Sequence, residues 1–390
     1  MIKSYSLFTS EVDVITQAVE DIQKQLSEIK LLTNSVGIIF CHYDHISSGI
    51  TSALAQVLPF PLVGCTTFYQ TTPKTEGLFE LTITVLTSDD VSFGIGLSVS
   101  EQPTPSERVL HAFNEAVGGH SEKPALLMTF LTAKRSVTGD EFVRQMDLAS
   151  GGIPNFGTVA SGDKDDGESI FLLHGKKAYN EGFAVVAFFG EITTNFYMGN
   201  IKEENLLEQN ALVTKSEGIV LQELNNLPAT TFIERNGVIL DNNAKAGLLT
   251  IPFLLKYKGT QADAGTLISR TMYDFNSKGE AFFFGEIPEG LYLHLVTMTT
   301  DDILSVTKHI CELAASQNPD ASIFFVFSCV GRYMALGMDT ASEFSYIKEI
   351  FKNSANYLAT YASGEICPIK TSGNFTNIYH NYSIIICAIK

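Results

Sequence analysis

Apolar residues recur with helical spacing at three places in the chain, and a short apolar run follows each of them. The three predicted helices cover residues 11–30, 107–117 and 301–315. The apolar runs that follow these helices cover residues 36–41, 125–130 and 321–327. Apolar positions three and four residues apart indicate an amphipathic helix, and a short continuous apolar run is typical of a buried strand. The pattern therefore predicts a helix–strand unit that occurs three times.

A second helix and a second strand follow each of these units. The second helices are predicted at residues 47–58, 138–149 and 341–352. The strands behind them end in small and polar residues, over 62–67, 156–162 and 358–365. In the first two copies a glycine-led pair of strands comes next, at 77–87 with 91–98 and at 182–190 with 193–198. These pairs predict antiparallel hairpins, and the chain shows no comparably clear fourth copy.

Parallel strands joined by helices and followed by hairpins indicate mixed sheets in a fold between α/β and α+β. The 390 residues favour two modules, because a single core rarely grows to that size. A charged segment without a core pattern, near residues 200–210, predicts modules of residues 1–205 and 206–390. Residues 211–288 show a less clear pattern of helices and strands. We expect them to add strands to the second sheet, with their topology left open.

Composition and charge narrow the class of partner. The net charge of -17 and the pI near 4.9 disfavour nucleic acids and anionic membranes, since both would be repelled. The amino terminus has no secretory pattern, and no apolar stretch has the length of a spanning helix, so we expect a cytoplasmic protein. The six cysteines form no CxxC pair and are expected to be buried, reduced thiols.

Candidate binding residues lie where predicted parallel strands end. Ligands tend to bind in crevices at the carboxyl ends of such strands, and glycine lets the backbone approach a ligand closely. An arginine there can clamp a carboxylate, and a glutamate can accept from an ammonium group or simply pair with that arginine. The candidate ligand-binding residues of these strand ends are Gly64, Cys65, Thr66, Thr67, Cys329, Arg332, Gly364 and Glu365. We predict that Gly64, Cys65, Arg332 and Glu365 surround one shared cavity.

His380 and Asn381 lie just before the last predicted strand and complete the candidate ligand-binding set. The ordinary explanation for such a histidine is an imidazole that hydrogen-bonds to backbone. A direct contact with a ligand is the alternative.

Several of these segments together resemble FIST proteins. They are residues 63–67, residues 151–152 with 160–163, residues 329–332, residues 364–368, and His380 with Asn381. The order CxxR, GEI and HN near the carboxyl end is the most specific part, and the resemblance covers nearly the whole chain as a FIST N-type and a FIST C-type module. It implies a sensory, non-enzymatic protein that binds a small ligand and signals to a partner such as a histidine kinase or a cyclic-dinucleotide enzyme.

A stand-alone FIST chain of this length is similar to a subgroup of haem-based nitric oxide sensors. That resemblance implies haem as a cofactor, although the sequence contains no haem-attachment motif. Histidine is the simplest axial ligand, and His42 and His45 follow the first predicted strand at its carboxyl end. They are the candidate iron ligands. Sensing of an amino acid or another small metabolite is the alternative.

A cysteine-dependent amidohydrolase is the alternative from a different class. Cys65 and Cys329 each come at the end of a strand, as nucleophiles in acyl transfer often do, and His380 and Glu365 would complete a triad. No nucleophile-elbow signature surrounds either cysteine, so the sequence favours a sensor over an enzyme.

Overall fold

The structure is a computed structural model that describes residues 1–99, 104–132, 137–163, 168–256, 267–352, 356–371 and 374–390. Within this part of the chain, helices pack against four mixed or antiparallel sheets. The predicted α/β to α+β class, with mixed sheets and hairpins, is confirmed.

The first repeat alternates strands and helices in the predicted order. Its elements are β1 (Lys3–Thr9), α1 (Ile15–Ser27), β2 (Asn34–Cys41), α2 (Asp44–Ser47), α3 (Ile50–Val57), β3 (Leu62–Thr66), β4 (Gln70–Thr71), β5 (Glu76–Gly77) and β6 (Leu81–Ser88). The second repeat follows the same plan. Its elements are β7 (Ser92–Ser98), α4 (Pro105–Val117), β8 (Leu126–Leu131), α5 (Gly139–Ser150), β9 (Asn155–Val159), β10 (Leu172–His174), β11 (Lys177–Tyr179) and β12 (Phe183–Phe189).

The third repeat begins with β13 (Thr194–Gly199) and is then interrupted by an insertion with a sheet of its own. The insertion contains β14 (Leu206–Glu217), β15 (Val220–Leu224), β16 (Leu227–Pro228), α6 (Ala229–Arg235), β17 (Pro252–Lys256), β18 (Leu267–Phe275), β19 (Ala281–Phe283) and β20 (Tyr292–Val296). Short 3-10 helices cover Glu203–Asn205 and Lys245–Thr250. Residues 211–288 therefore do not extend another sheet, which corrects the sequence-based expectation.

The third repeat resumes after the insertion. Its elements are α7 (Thr300–Gln317), β21 (Ile323–Cys329), α8 (Val330–Leu336), α9 (Thr340–Phe351), β22 (Asn356–Ala362), β23 (Glu365–Thr371), β24 (Asn374–His380) and β25 (Ile384–Ile389), with a 3-10 turn at Gly337–Asp339 between α8 and α9. Threonine side chains cap the first helices of the second and third repeats. Thr104 accepts from the Glu107 amide, and Thr299 forms a capping box with Asp302.

The three repeats build three sheets of the same design. The strand orders are β1-β6-β2-β3-β10-β11, β7-β12-β8-β9-β23-β24 and β13-β25-β21-β22-β4-β5. Each sheet has a parallel central pair, β2 with β3, β8 with β9, or β21 with β22. Equivalent phenylalanines of these central strands meet in one core, where the Phe40 ring lies 5.8 Å from those of Phe130 and Phe327.

Each of these sheets takes its last two strands from a different repeat. The hairpin β4–β5 of the first repeat joins the third sheet, β10–β11 of the second joins the first sheet, and β23–β24 of the third joins the second sheet. We call this arrangement the hairpin exchange. The predicted modules 1–205 and 206–390 therefore contribute strands to the same sheets, and the boundary between them stays a prediction.

The predicted glycine-led hairpins are wrong in their pairing. The chain passes from β6 to β7, and from β12 to β13, by leaving one sheet and entering the next. The strands were located well, but a short connection between two strands does not guarantee that they pair.

Candidate functional site

The carboxyl group of Glu365 lies at the start of β23 and is fully buried. Its Oε2 atom accepts hydrogen bonds from Ser383 Oγ at 2.8 Å and from the Ser383 amide at 3.3 Å. The Cys329 thiol, at the end of β21, also lies against this carboxyl group. The Oε1 atom has no hydrogen-bond partner in the described part of the chain.

Burial raises the pKa of Glu365 to about 8, although hydrogen bonds from Ser383 and Cys329 act in the opposite direction. A carboxylate in a low-dielectric site is disfavoured relative to the neutral acid. Glu365 is therefore mostly protonated at neutral pH.

His380 is the cross-strand partner of Glu365 in the hairpin β23–β24. Its Nε2 atom lies 3.4 Å from the Cys367 carbonyl oxygen, and because a carbonyl only accepts, Nε2 carries the hydrogen. The other ring nitrogen, Nδ1, is then an acceptor, and it has no partner among the described residues. Burial, together with the Arg270 charge, lowers the pKa of His380 to about 3, so the ring is neutral.

Asn381 follows in the turn between β24 and β25. Its side chain hydrogen-bonds the Tyr379 hydroxyl, while its Oδ1 atom is buried and has no partner within the described ranges. We call Glu365, His380 and Asn381 the acceptor cluster. Structure and sequence agree here to the extent that the predicted Cys329, Gly364, Glu365, His380 and Asn381 lie together at the ends of neighbouring strands.

The turn that holds the acceptor cluster has an unusual backbone. Tyr382 has a φ of 59°, a conformation that costs free energy for a non-glycine residue, and its side chain is fully buried. Its hydroxyl donates to the Thr250 carbonyl oxygen of the insertion at 3.3 Å. A side chain at Gly331 would collide with the Tyr382 ring, which explains the glycine behind Cys329.

The insertion covers this site and is fixed by Arg270 of β18, which is also fully buried. Its guanidinium donates to the Tyr379 carbonyl oxygen at 3.1 Å and to Asp140 Oδ1 of α5 at 2.7 Å. Asp140 Oδ2 in turn accepts from the Glu286 amide at 2.8 Å. Arg270 thus joins the insertion to the second repeat and to the strand that precedes the acceptor cluster.

Arg332 was predicted to clamp a ligand carboxylate or to pair with Glu365. The structure instead pairs it with Glu343 of α9, at 2.8 Å between Nη2 and Oε1, with both side chains buried. The Tyr361 hydroxyl donates to Glu343 Oε2 at 2.8 Å, and Thr307 Oγ1 donates to Oε1 at 2.8 Å. We call Arg332, Glu343, Tyr361, Thr307 and Ser328 the ion-pair cluster.

The amino-terminal candidates lie in other surroundings. Gly64 is needed for packing, because a Cβ there would overlap the Ile39 carbonyl oxygen. Thr66 Oγ1 accepts from the Phe171 amide at 2.9 Å. Thr67 Oγ1 donates to the Tyr361 carbonyl oxygen at 3.1 Å and is closed in where β3, β9 and β22 meet.

Cys65 is packed in the core shared by the three repeats. Burial raises the pKa of both the Cys65 and the Cys329 thiol well above the ordinary range, so neither is prone to form the nucleophilic thiolate. The four residues expected to surround one cavity, Gly64, Cys65, Arg332 and Glu365, have different sets of neighbours, and the structure does not bring them around one space.

The candidate iron ligands are also enclosed. His42 has Asp44 and Asp163 within 3.3 Å of its ring nitrogens, and its ring meets Phe79 edge-on at 4.8 Å. His45 has no exposed surface, and its Nδ1 atom lies 3.2 Å from the His42 carbonyl oxygen. Burial lowers the pKa of His45 to about 4.

Open grooves occur away from these residues. One of about 580 Å³ runs along β1 and α1, and one of about 490 Å³ lies on the insertion beside Val238, Leu248 and Val296. Among the described residues no group of three or more histidine, cysteine or acidic side chains is placed to hold a metal ion. No helix in the described ranges has the length and apolar character needed to cross a membrane.

Sequence reasoning did not identify Glu343, Ser383 or Arg270. A signal for Glu343 exists, since it precedes Ile347 and Phe351 by four and eight positions and so interrupts the buried stripe of α9. A charged residue on such a stripe predicts a buried partner.

Comparison with known proteins identifies the family. The FIST N domain profile matches residues 35–227, and the FIST C domain profile matches residues 229–368. The chain therefore belongs to the FIST family, as its sequence motifs indicated. Domains of this family are sensory, act in signal transduction and bind small ligands.

A search among curated proteins found no match. Among solved structures the chain is similar to cyanuric acid hydrolase from A. caulinodans, with a TM-score of 0.36 and 8% identity over 100% of this chain and 98% of that one. A second structure, described as a cyanuric acid hydrolase that arose by structural concatenation, gives a TM-score of 0.33 and 10% identity over 100% and 99%. Likenesses at this level carry no argument about activity.

Proposed function

We propose that this chain is a non-enzymatic sensor of a small metabolite that binds at the acceptor cluster, and that it reports occupancy to a partner protein such as a histidine kinase or a cyclic-dinucleotide enzyme. One observation carries the proposal. Glu365 Oε1, His380 Nδ1 and Asn381 Oδ1 are buried atoms without partners, apart from the Cys329 thiol beside Glu365, and they belong to neighbouring residues.

Such atoms are costly in a folded protein. An unpaired buried polar group costs about 1–3 kcal/mol, and most buried polar groups in native structures are therefore paired. Three such atoms on the paired residues Glu365 and His380 and on Asn381, which follows His380, offer a ligand hydrogen bonds without the displacement of existing ones. Asn381 and His380 stand in the segment that also carries the family resemblance.

The insertion provides a route from occupancy to signal. Its polar contacts with the rest of the protein include those of Arg270, the hydrogen bond from Tyr382 to Thr250 and the ion pair of Glu286 with Arg144. A ligand that binds one arrangement of the insertion better than another shifts the balance between the two. The surface presented to a partner protein then changes with occupancy.

A thermal-shift screen of amino acids and other small metabolites tests this function. A ligand that binds only the folded state raises the melting temperature. We expect at least one compound to stabilise the parent, and to lose this effect in Glu365→Gln and in Asn381→Leu. The matched control is Asp147→Asn, which alters a partly buried carboxyl group outside the cluster that accepts from Asn377 Nδ2. A screen without a stabilising compound, or equal loss in the control, would contradict the proposal.

The haem version of this sensor, with nitric oxide as the signal, has less support. Because the His45 ring has no exposed surface and His42 is held by Asp44, Asp163 and Phe79, a porphyrin could reach either ring only if the packed elements around it separated. The described residues at this place do not fit haem in this conformation. An absorption spectrum after expression with a haem precursor tests the prediction, with His42→Ala and His45→Ala as the informative variants.

The hydrolase alternative has little support from the geometry. Cys65 and Cys329 are buried thiols whose pKa is raised, and Cys329 lies against a carboxyl group rather than an imidazole. Selective labelling of either cysteine by iodoacetamide in the native protein would favour the enzyme over the sensor.

A further inference from the structure

The three unpaired atoms of the acceptor cluster share one chemical property. Asn381 Oδ1 is an amide oxygen, and His380 Nδ1 is an acceptor because Nε2 carries the ring hydrogen. Glu365 Oε1 becomes an acceptor when the carboxyl group is ionised. The site therefore offers acceptors, while the nearby donors of Ser383 are already used on Glu365 Oε2.

A primary ammonium group complements such a site. It has three N–H donors and no acceptor, whereas a carboxylate has acceptors only and would face other acceptors. A hydrogen bond between an ammonium group and a carboxylate is about twice as strong as one between neutral groups. A buried ammonium also needs a negative partner, and Glu365 is the carboxyl group in the acceptor cluster.

The groups that face Glu365 decide its charge. They are the Cys329 thiol from β21, the Tyr379 hydroxyl and His380 from β24, and more distantly the Arg332 guanidinium from α8. Arg332 is neutralised by Glu343 at 2.8 Å, and burial favours the neutral forms of the thiol, the phenol and the imidazole. Arg270 of β18, whose charge lowers the pKa of His380, is paired with Asp140 at 2.7 Å, so the guanidinium groups near this carboxyl group already have acidic partners.

We propose that the ligand of the acceptor cluster carries a primary ammonium group and that its binding expels the proton of the Glu365 carboxyl group into solvent. This inference rests on the proposed function and names the chemistry of its ligand. The protonated Glu365 carboxyl group and the ammonium ion become a carboxylate–ammonium pair, and one proton is released to solvent. No bond of the ligand changes.

The structure gives this exchange a pH dependence. Since the pKa of Glu365 is raised to about 8, affinity for an ammonium ligand should rise about tenfold with each unit of increasing pH up to that value and level off above it. Proton release should approach one per ligand near pH 7 and fall towards zero well above pH 8.

Three probes of similar size separate the possible chemistries: ethylammonium chloride, acetamide and sodium acetate. Each is titrated into the isotope-labelled full chain at pH 7, and the backbone amide signals of Asn381, Tyr382 and Ser383 are followed. We expect ethylammonium to move them, and the two other probes to leave them unchanged. Glu365→Gln should weaken the ethylammonium response at least tenfold, and Asn381→Leu should weaken it as well, whereas Asp147→Asn should not.

Calorimetry then measures proton release. Ethylammonium, putrescine and lysine are compared first, and the amine that binds most tightly is chosen. This amine is then titrated in two buffers with different ionisation enthalpies. Close to one proton released at pH 7, and much less at pH 9.5, is the expected result.

Two outcomes overturn the inference and leave the proposed function standing: acetate or acetamide moves the same amide signals, or the amine binds without proton release. If none of the three probes moves them, the acceptors are served by water and the ammonium inference falls. The proposed function is then judged by the metabolite screen alone.

Discussion

Glu343 and Glu365 are both fully buried glutamates of the third repeat, yet their carboxyl groups have very different surroundings. Glu343 accepts from Arg332, Thr307, Ser328 and Tyr361, so both of its oxygens are satisfied. Glu365 accepts from Ser383 on Oε2 and has the Cys329 thiol beside it, while its Oε1 atom has no hydrogen-bond partner among the described residues. One carboxylate completes a network, and the other lacks a strong partner.

The contrast distinguishes a carboxyl group that completes a structural network from one that lies in the binding site proposed above. A fully satisfied buried ion pair fixes the elements that contribute to it, here α7, α8, α9 and the central strands of the third sheet. A partly satisfied carboxyl group beside two further unpaired acceptors retains the capacity to bind something else. The sequence motif CxxR thus points to a structural arginine, while GEI and HN point to the acceptor cluster.

The largest effect is expected from Glu343→Ala. The change leaves the Arg332 charge buried without its partner, and loss of one member of a buried ion pair costs about 3–5 kcal/mol. Urea unfolding followed by circular dichroism measures it. A loss below about 1 kcal/mol, typical of exposed pairs, would show that the ion-pair cluster does not stabilise the fold.

Glu365→Gln should change how stability depends on pH. The folded-state pKa of about 8 lies above the ordinary 4.5, so the folded state holds this proton more tightly than the unfolded state. Its contribution is complete below pH 4.5, declines as the pH rises towards 8 and is lost above that value; a rise of this size in the pKa corresponds to at most about 5 kcal/mol.

The measurement is urea unfolding of parent and variant at pH 5, 6.5 and 8.5. The parent should lose stability relative to Glu365→Gln as the pH increases. Parallel pH profiles for the two proteins would mean that Glu365 is ionised in the folded state, and the contrast with Glu343 would disappear.

Ser383→Ala should have a smaller effect. It removes the 2.8 Å hydrogen bond to Glu365 Oε2. Such a bond contributes about 0.5–1.5 kcal/mol to the free energy of unfolding when both groups are neutral, and more when the carboxyl group is charged. The destabilisation should therefore be greater at pH 8.5 than at pH 6. In a Glu365→Gln background the difference between the two pH values should vanish, which unfolding of the double variant can check.

The smallest net effect is expected when the ion-pair cluster is replaced as a whole. Combining Arg332→Met, Glu343→Leu and Tyr361→Phe leaves no charge and no phenol unpaired, and such replacements are often neutral within about 1 kcal/mol. A triple variant as unstable as Glu343→Ala would show that packing, rather than the unpaired charge, accounts for the single-variant loss.

The spacing of apolar residues predicted most helices and strands, because it shows directly which face of each element is buried. The helix predicted at residues 301–315 is observed at Thr300–Gln317, where the Thr299 capping box fixes its first turn. The hairpin exchange could not be read from the sequence, since β4 has only two residues and pairs with a strand almost 300 positions away. Strand pairing depends on neighbours that a single segment does not contain.

The residues of the acceptor cluster could be predicted from the sequence in part. Glu365 was identified from small and polar residues at a strand end, and His380 with Asn381 from the family resemblance; the hairpin pairs Glu365 with His380. The partner of Arg332 was not found, because Glu343 lies on a helix that reads as amphipathic without it. Gly64 to Thr67 carry the same type of pattern but serve close packing where three strands meet.

The hairpin exchange also sets an order of events during synthesis. The segment β4–β5 leaves the ribosome early, but its partner strand β22 emerges only after more than two thirds of the chain has been made. The first sheet can close once β10 appears, whereas the second and third must wait for the carboxyl-terminal strands. Until β22 has been made, the β4–β5 hairpin has no strand of the third sheet to pair with.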